Sequence, residues 1–251
     1  MRTFAVCVAL LAAPIAFAQD AAVAVVKKAI EAHGGADALN KSKIARAKTK
    51  GTMNVAGVGD VEFVSTSFYS LPDKFKLEMA AEIRGLKLTA MQMVNGKDVK
   101  VKTVLGSIEQ PAEAKAKEET QQALLLQEIT TLTPLVEGKK YTIKSDADAD
   151  IEGKANAVVV VSGNGLRGDV KLFFNKATGQ LAKTERKGLA ATEKGIIEVK
   201  EESFLGEFKK TDAVLLPTRV IVKHDGKKFM DVTVVEMKLL EKIDPSEFAE
   251  K

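Results

Sequence analysis

Ala157-Val-Val-Val-Val161 runs into Ser162-Gly-Asn-Gly165, and Asp169-Val-Lys-Leu-Phe-Phe174 runs into Asn175-Lys-Ala-Thr-Gly179. Each is a short apolar run stopped by a cluster of turn formers. Their length and β-branched content mark strands rather than helices. The rhythm continues through Leu240. Leu181 to Lys187 reads as a polar strand, and Ile196 to Phe204 and Phe229 to Leu240 as two more. In Thr218 to Lys223, Val220 and Val222 alternate with Arg219 and Lys223. His224-Asp-Gly-Lys227 centres on Asp-Gly, a hairpin signal. Pro217 has no amide donor and is expected at a strand start or an edge. Turns recur at roughly eight to twelve residues, as in sheets whose sequential strands are neighbours.

The N-terminal half repeats the pattern. Lys43 to Val55, Val61 to Ser70, Leu86 to Val94 and Val99 to Leu105 read as strands, with Leu71-Pro-Asp73 as a corner and Asn95-Gly96 as a hairpin turn. The cleanest alternation is Phe75, Leu77, Met79, Ala81 and Ile83 against Lys74, Lys76, Glu78 and Glu82. One face of that strand is dry and the other wet. Three segments read as helix. Ala21 to Ala32 follows Asp20 as N-cap and stops at His33-Gly-Gly35; Ala36 to Asn40 adds a short turn. Pro111 to Thr131 is rich in Ala, Glu, Lys, Gln and Leu, with Leu125, Ile129 and Leu132 as its apolar stripe. It lies between the two meanders, where it can cover the open face of a sheet.

Several motifs are weighed and set aside. Asp146-Ala-Asp-Ala-Asp150 suggests a calcium loop, but Ile151 and Ala157 stand where that loop needs Gly and Glu, so a solvated acidic turn is expected. Arg167-Gly-Asp169 reads as a plain turn, and Glu113 to Glu119 as a solvated helix face. His33 reads as a cation at a helix end. Nothing in the sequence assembles a nucleophile with its base, a phosphate loop or a metal-ligand spacing. No catalytic residue, cofactor or metal is therefore expected, and the chain is not read as an enzyme.

Net charge is +4, from 38 basic and 34 acidic residues, too dispersed for a nucleic-acid footprint. Aromatic residues make up 5% and Trp is absent, against base- or sugar-stacking sites. Residues 1–18 carry Arg2, an apolar run and Ala16-Phe-Ala18, the pattern of a cleaved export signal. The mature chain, 19–251, is expected in the periplasm. The lone Cys7 comes too early to be a lipidated terminus. Met53, Met79, Met91, Met93, Met230 and Met237 all fall in predicted strands, where they read first as ordinary core gap-fillers and second as pliable side chains suited to a surface that accepts varied apolar shapes.

Taken in order, the Ala-rich helix ending His33-Gly-Gly35, the Leu71-Pro-Asp-Lys-Phe75 corner, Ile151-Glu-Gly-Lys-Ala155 leading into Val158 to Val161, Phe174-Asn-Lys-Ala-Thr-Gly-Gln-Leu181, Leu216-Pro-Thr-Arg219, Asp225-Gly-Lys227 and Ile243-Asp-Pro-Ser-Glu-Phe248 resemble the LolA/LolB-like superfamily, the outer-membrane lipoprotein-sorting proteins. The resemblance spans nearly the whole mature chain. It implies a mainly β fold with added helices, one unclosed antiparallel β-barrel of about eleven strands with helices over its concave face. It implies a periplasmic, monomeric carrier of lipoprotein acyl chains or other lipids, with inner- or outer-membrane proteins as partners. Phe63, Phe75, Leu77, Met79, Ile83, Leu88 and Met91 are the candidate lining residues; Leu88 and Met91 share a face only if a bulge intervenes. The alternative is a regulatory or structural envelope module of the same fold with a packed, ligand-free interior.

Overall fold

The computed structural model describes residues 13–111, 113–192 and 195–249. Two helices open it, α1 (Ala13–Ala32) and α2 (Ala36–Lys41). A first meander follows, in strands β1 (Ile44–Val55), β2 (Gly59–Ser70), β3 (Lys74–Ile83), β4 (Leu86–Asn95), β5 (Asp98–Leu105) and β6 (Ile108–Gln110). Helices α3 (Ala114–Thr130) and α4 (Thr133–Val136) separate it from the second. That one comprises β7 (Tyr141–Ile151), β8 (Lys154–Gly163), β9 (Val170–Asn175), β10 (Leu181–Thr192), β11 (Gly195–Thr211), β12 (Val214–His224) and β13 (Lys227–Leu239). Among the described residues the sheet has thirteen strands, in the order β6-β5-β4-β3-β2-β1-β13-β12-β11-β10-β9-β8-β7.

The two meanders are joined where β1 pairs with β13. The free edges are β6 and β7, and these are the strands that flank α3 and α4 in the chain. The helical link therefore runs from one edge of the open sheet to the other. The hairpins follow turn chemistry: at β12–β13, Asp225 and Gly226 both take positive φ, 48° and 79°, as a type I′ turn requires.

Alternation sends one set of side chains inward. Val159, Val161, Leu172 and Phe174 pack against Ala22, Val26, Ala29 and Ile30 of α1. Ala45, Tyr69, Leu71 and Val94 gather around Leu124 of α3. Farther from the helices, Met53, Val61 and Phe63 pack with Met79, Ile83, Leu88 and Met230. Each fully buried aliphatic or Phe contributes about 1.5–3 kcal/mol, so the inner face supplies most of the driving force. The outer face is mainly polar, with an apolar patch where Phe68 and Met93 meet Phe248 from the 3-10 turn Pro245–Phe248.

Several expectations change. The sheet has thirteen strands rather than about eleven. Asp146 to Asp150 is part of edge strand β7, not a turn; Asp146 and Asp148 are ion-paired with Lys171 and Lys176. Pro217 lies inside β12, opposite Phe208, in a stretch that pairing with β13 does not reach, so it is flanked by a strand on one side only. Among the described residues helix α1 is present from Ala13 rather than from Ala21, and runs through the predicted cleavage point after Ala18. Residues 1–12 of the predicted signal lie outside the described residues. Among the described residues, those by which α1 joins the core, Ala22, Val26, Ala29 and Ile30, lie beyond Ala18.

Gly51 sits in β1 at the seam, opposite Val232; a Cβ there would overlap the Asp231 carbonyl across the strand pair. Backbone cannot give way as a flexible side chain can. Gly51→Ala should destabilise the protein by about 2–4 kcal/mol in denaturant unfolding. Gly206→Ala, whose Cβ meets nothing within 4 Å, should change stability by less than about 1 kcal/mol.

Candidate functional site: a cavity beneath the helices

Between the concave face and the helices lies a cavity of about 420 Å³. That volume falls in the range of small-molecule sites, roughly 300–1,000 Å³. Tyr69 and Phe75 wall it from β2 and β3, Val234 and Met237 from β13, and Val220 and Leu216 from β12. Helix α3 roofs it with Ala123, Leu126, Gln127 and Thr130. On β10 and β11, beside Leu181, Leu205 and Phe208, the wall carries a polar patch. Thr184 and Arg186 of β10 face their cross-strand partners Ser203 and Glu201 of β11, and all four line the space.

Helix α3 is held over the cavity by polar contacts more than by an apolar stripe. Its buried apolar residues are Leu124 and Ile129, with Leu125 only half-buried in place of its predicted role. Arg167 donates through Nε to Glu118 at 2.8 Å and pairs with Glu119 at 2.6 Å. Gln122 donates to the Gly165 carbonyl at 2.7 Å and accepts the Arg167 N–H at 2.9 Å. Arg186 is ion-paired with Glu119 from the cavity wall. The first turns of α3 are thus not simply a solvated face, and Arg167 is not in an idle turn.

Arg186 is shared. Its Nε donates to Glu201 at 2.8 Å, and its Nη1 is buried with no hydrogen-bond partner. Burial pushes the Glu201 carboxyl up, but hydrogen bonds from His224 and Arg186 and the guanidinium charge outweigh it and hold the group below its usual range. His224 lies 3.2 Å from Glu201 through Nε2 and stacks on Phe229. Burial also pushes the Tyr69 phenol up to about 12, so it stays protonated. Among the described residues no group of His, Cys, Asp or Glu is placed to hold a metal ion.

His33 is not a helix-end cation. It is 5% exposed, with Nδ1 2.7 Å from the Leu215 carbonyl and Nε2 3.1 Å from the Leu181 amide. The carbonyl can only accept and the amide can only donate, so the ring is neutral with its proton on Nδ1. It ties the end of α1 to β10 and β12, and burial lowers its pKa.

Of the predicted lining residues, Phe75 borders the cavity. Phe63, Met79, Ile83 and Leu88 form an inner-face cluster farther along the sheet. Leu77 shares their face, opposite Ser67 and Gln92. Met91 does not. Strand β4 pairs without a register break on either side, so no bulge brings Met91 inward. It packs outside with Phe68, Met93 and Phe248. The six strand methionines divide likewise: Met91 and Met93 lie outside, while Met237 lines the cavity. Tyr69, Thr184, Arg186, Glu201 and Ser203 were missed as site residues. The available signal lay in β11, where polar Glu201 and Ser203 share the parity of the inward Leu205.

No protein-family model matches the chain, and no curated protein does either. Solved structures match its fold. A LolA superfamily protein from Nitrosomonas europaea aligns with TM-score 0.52 at 13% identity, over 91% of this chain and 97% of the other. A domain described as an outer membrane lipoprotein-sorting protein, from Vibrio parahaemolyticus, gives 0.51 at 10% identity, over 92% and 97%. A DUF1329 family protein from Desulfovibrio piger gives 0.52 at 12%, over 92% and 97%. The chain has the LolA-like fold; identities this low speak to the fold alone.

Because His33 is neutral when folded, with a pKa below the ordinary 6.5, the unfolded chain takes up its proton first as pH falls. Its contribution is complete above pH 6.5 and is lost as pH falls from there through the folded-state pKa. Urea midpoints measured across that window should decline for the wild type. His33→Ala should remove that component and cost about 2–4 kcal/mol at neutral pH, by orphaning the Leu181 amide and the Leu215 carbonyl.

Proposed function

We propose that this protein is a non-catalytic carrier that takes up the hydrocarbon chain of a lipid or acylated protein in the cavity beneath α3. The observation that carries the reading is the cavity itself, walled by Tyr69, Phe75, Val220, Val234 and Met237 and roofed by a polar-tethered helix. Each buried methylene contributes about 0.8 kcal/mol, so ten of them supply about 8 kcal/mol before ordering costs. No reacting group is needed for that work. A packed, ligand-free interior is the less economical reading, because an empty apolar space of this size forfeits packing contacts.

The setting is also part of the proposal. The predicted export signal places the chain in the periplasm, and among the described residues no helix is long and apolar enough to cross a membrane. One of the neighbours of like fold is described as a lipoprotein-sorting protein, which makes lipoprotein acyl chains the first ligands to try. In this reading the protein is a monomer that receives its ligand from one membrane and passes it to another membrane or its proteins.

The chain has no Trp, so Val220→Trp would put its only indole into the cavity. The wild type should take up N-phenyl-1-naphthylamine with enhanced fluorescence. Val220→Trp should fold and lose at least about tenfold in affinity, since the ring fills the space a guest would use. Val64→Trp, on the exposed outer face, should bind as the wild type. Failure of the wild type to take up the probe would count against the carrier reading.

A further inference from the structure

On the outer face of the first meander, across the sheet from the cavity, lies a trough of about 720 Å³. Register builds it from two cross-strand rows. One runs from Lys48 on β1 through Thr66, Glu78 and Met91 to Lys102 on β5. The next runs from Lys50 through Val64, Ala80 and Thr89 to Val104. Short side chains hold the middle and long lysines the ends, which leaves an apolar floor between cationic rims. Val235 of β13 extends the floor. Val64 is 59% exposed and Val235 62%. One exposed valine is ordinary, but two joined to Met91 and Val104 in one trough form a patch of the kind that marks a docking surface.

The adjoining row is already covered, and its cover is instructive. Phe68, Lys76 and Met93 are cross-strand neighbours there. Phe248 and Ile243 from the chain's own tail pack on Phe68, Met93 and Met91, and Lys74 Nζ stands 5.7 Å from the centre of the Phe248 ring. The tail thus lays down two apolar anchors with Asp244 and Glu247 between them. Met91 belongs both to this covered patch and to the open trough. The two are one surface, part filled by a segment of this chain. Charge in the open part favours the same chemistry. Lys48, Lys50 and Lys102 line it against Glu78 alone, and Glu78 is taken by Lys76 at 2.9 Å. Lys48 and Lys102 pair with Glu236 and Glu109 at 3.0 and 3.2 Å, in exposed pairs that another carboxylate can replace. Among the described residues Lys50 has no carboxylate partner. A flat bilayer would meet the lysine rims before the recessed floor, whereas a chain segment can lower one side chain into it.

We infer that this trough docks a segment of a partner protein whose chemistry is that of the tail, an aliphatic or aromatic anchor flanked by carboxylates, laid across β1 to β5 beside the bound tail. The anchor sits over Val64, Ala80 and Met91, and the carboxylates meet Lys50 and Lys102. Affinity comes from the anchor, and the lysines select an acidic segment over a basic one. The trough and the cavity lie on opposite faces of the sheet, so this inference stands or falls apart from the carrier reading.

The probe is a peptide copying residues 243–249 with both ends blocked, titrated into the isotope-labelled full protein and followed by NMR. Amide signals of Val64, Ala80, Met91 and Val104 should shift, and that of Val220 in the cavity wall should not. Val64→Asp and Val235→Asp, both at exposed positions, should each raise the peptide's Kd at least about tenfold. Exchanging the peptide's two acids for lysines should do the same, and Lys50→Glu should narrow the preference between the two peptides. No shift in the trough, a Kd that both valine variants leave unchanged, or equal binding of the basic peptide overturns the inference. So do shifts centred on Phe68 and Met93, which would mean that the peptide merely displaces the tail. A parallel arm adds vesicles of phosphatidylglycerol; sedimentation of the wild type with them, abolished by Val64→Asp, would assign the face to a membrane and overturn the inference as well.

Discussion

A sheet that curls without closing exposes a concave apolar face, and everything else in this structure answers that exposure. Water on the inner face would forfeit the burial that drives folding. The chain has one segment that can reach both halves, the link between the two edge strands, and that link is helical. Because β1 pairs with β13, the sheet is continuous through its middle, and among the described residues its open edges are β6 and β7. Helices α3 and α4 cross between those edges, while α1 seals β7 and β8.

The seal is uneven in kind. Over β7 to β9 it is dry packing, with Val26, Val159 and Leu172 fully buried. Over the cavity it is ionic and hydrogen-bonded, through Glu118, Glu119 and Gln122. Dry packing is strong and hard to reopen. Partly solvated ion pairs contribute little net stability and can be exchanged for water. The half that needs only to be stable is packed, and the half that borders the cavity is tethered. His33 stands between them, fixing the end of α1 to β10 and β12.

Much of this was legible in the residues. The alternation of Phe75 to Ile83, the Asn-Gly and Asp-Gly turns and the helical composition after Pro111 give the meanders, their hairpins and the covering helix. What was not legible has physical causes. Strand β7 was hidden because Asp146, Asp148 and Asp150 look like a turn until Lys171 and Lys176 are seen to pair with two of them. The polar wall was hidden because a register shift between Leu181 and Lys183 breaks the parity of β10, so the inward position of Thr184 cannot be counted from Leu181. Met91 was misplaced because apolar residues on an outer face look inward until a C-terminal Phe248 is found covering them. The cavity itself is a property of six strands and two helices meeting, and no local pattern carries it.

The central claim is that the space beneath α3 belongs to a lipid chain. It is tested most directly by native mass spectrometry of the protein purified without detergent from its own source, followed by solvent extraction of what it holds. The account predicts a population heavier than the bare chain by the mass of one acyl lipid, and release of that lipid on unfolding. A single species at the bare mass, with an extract no richer in lipid than a control protein's, would contradict it.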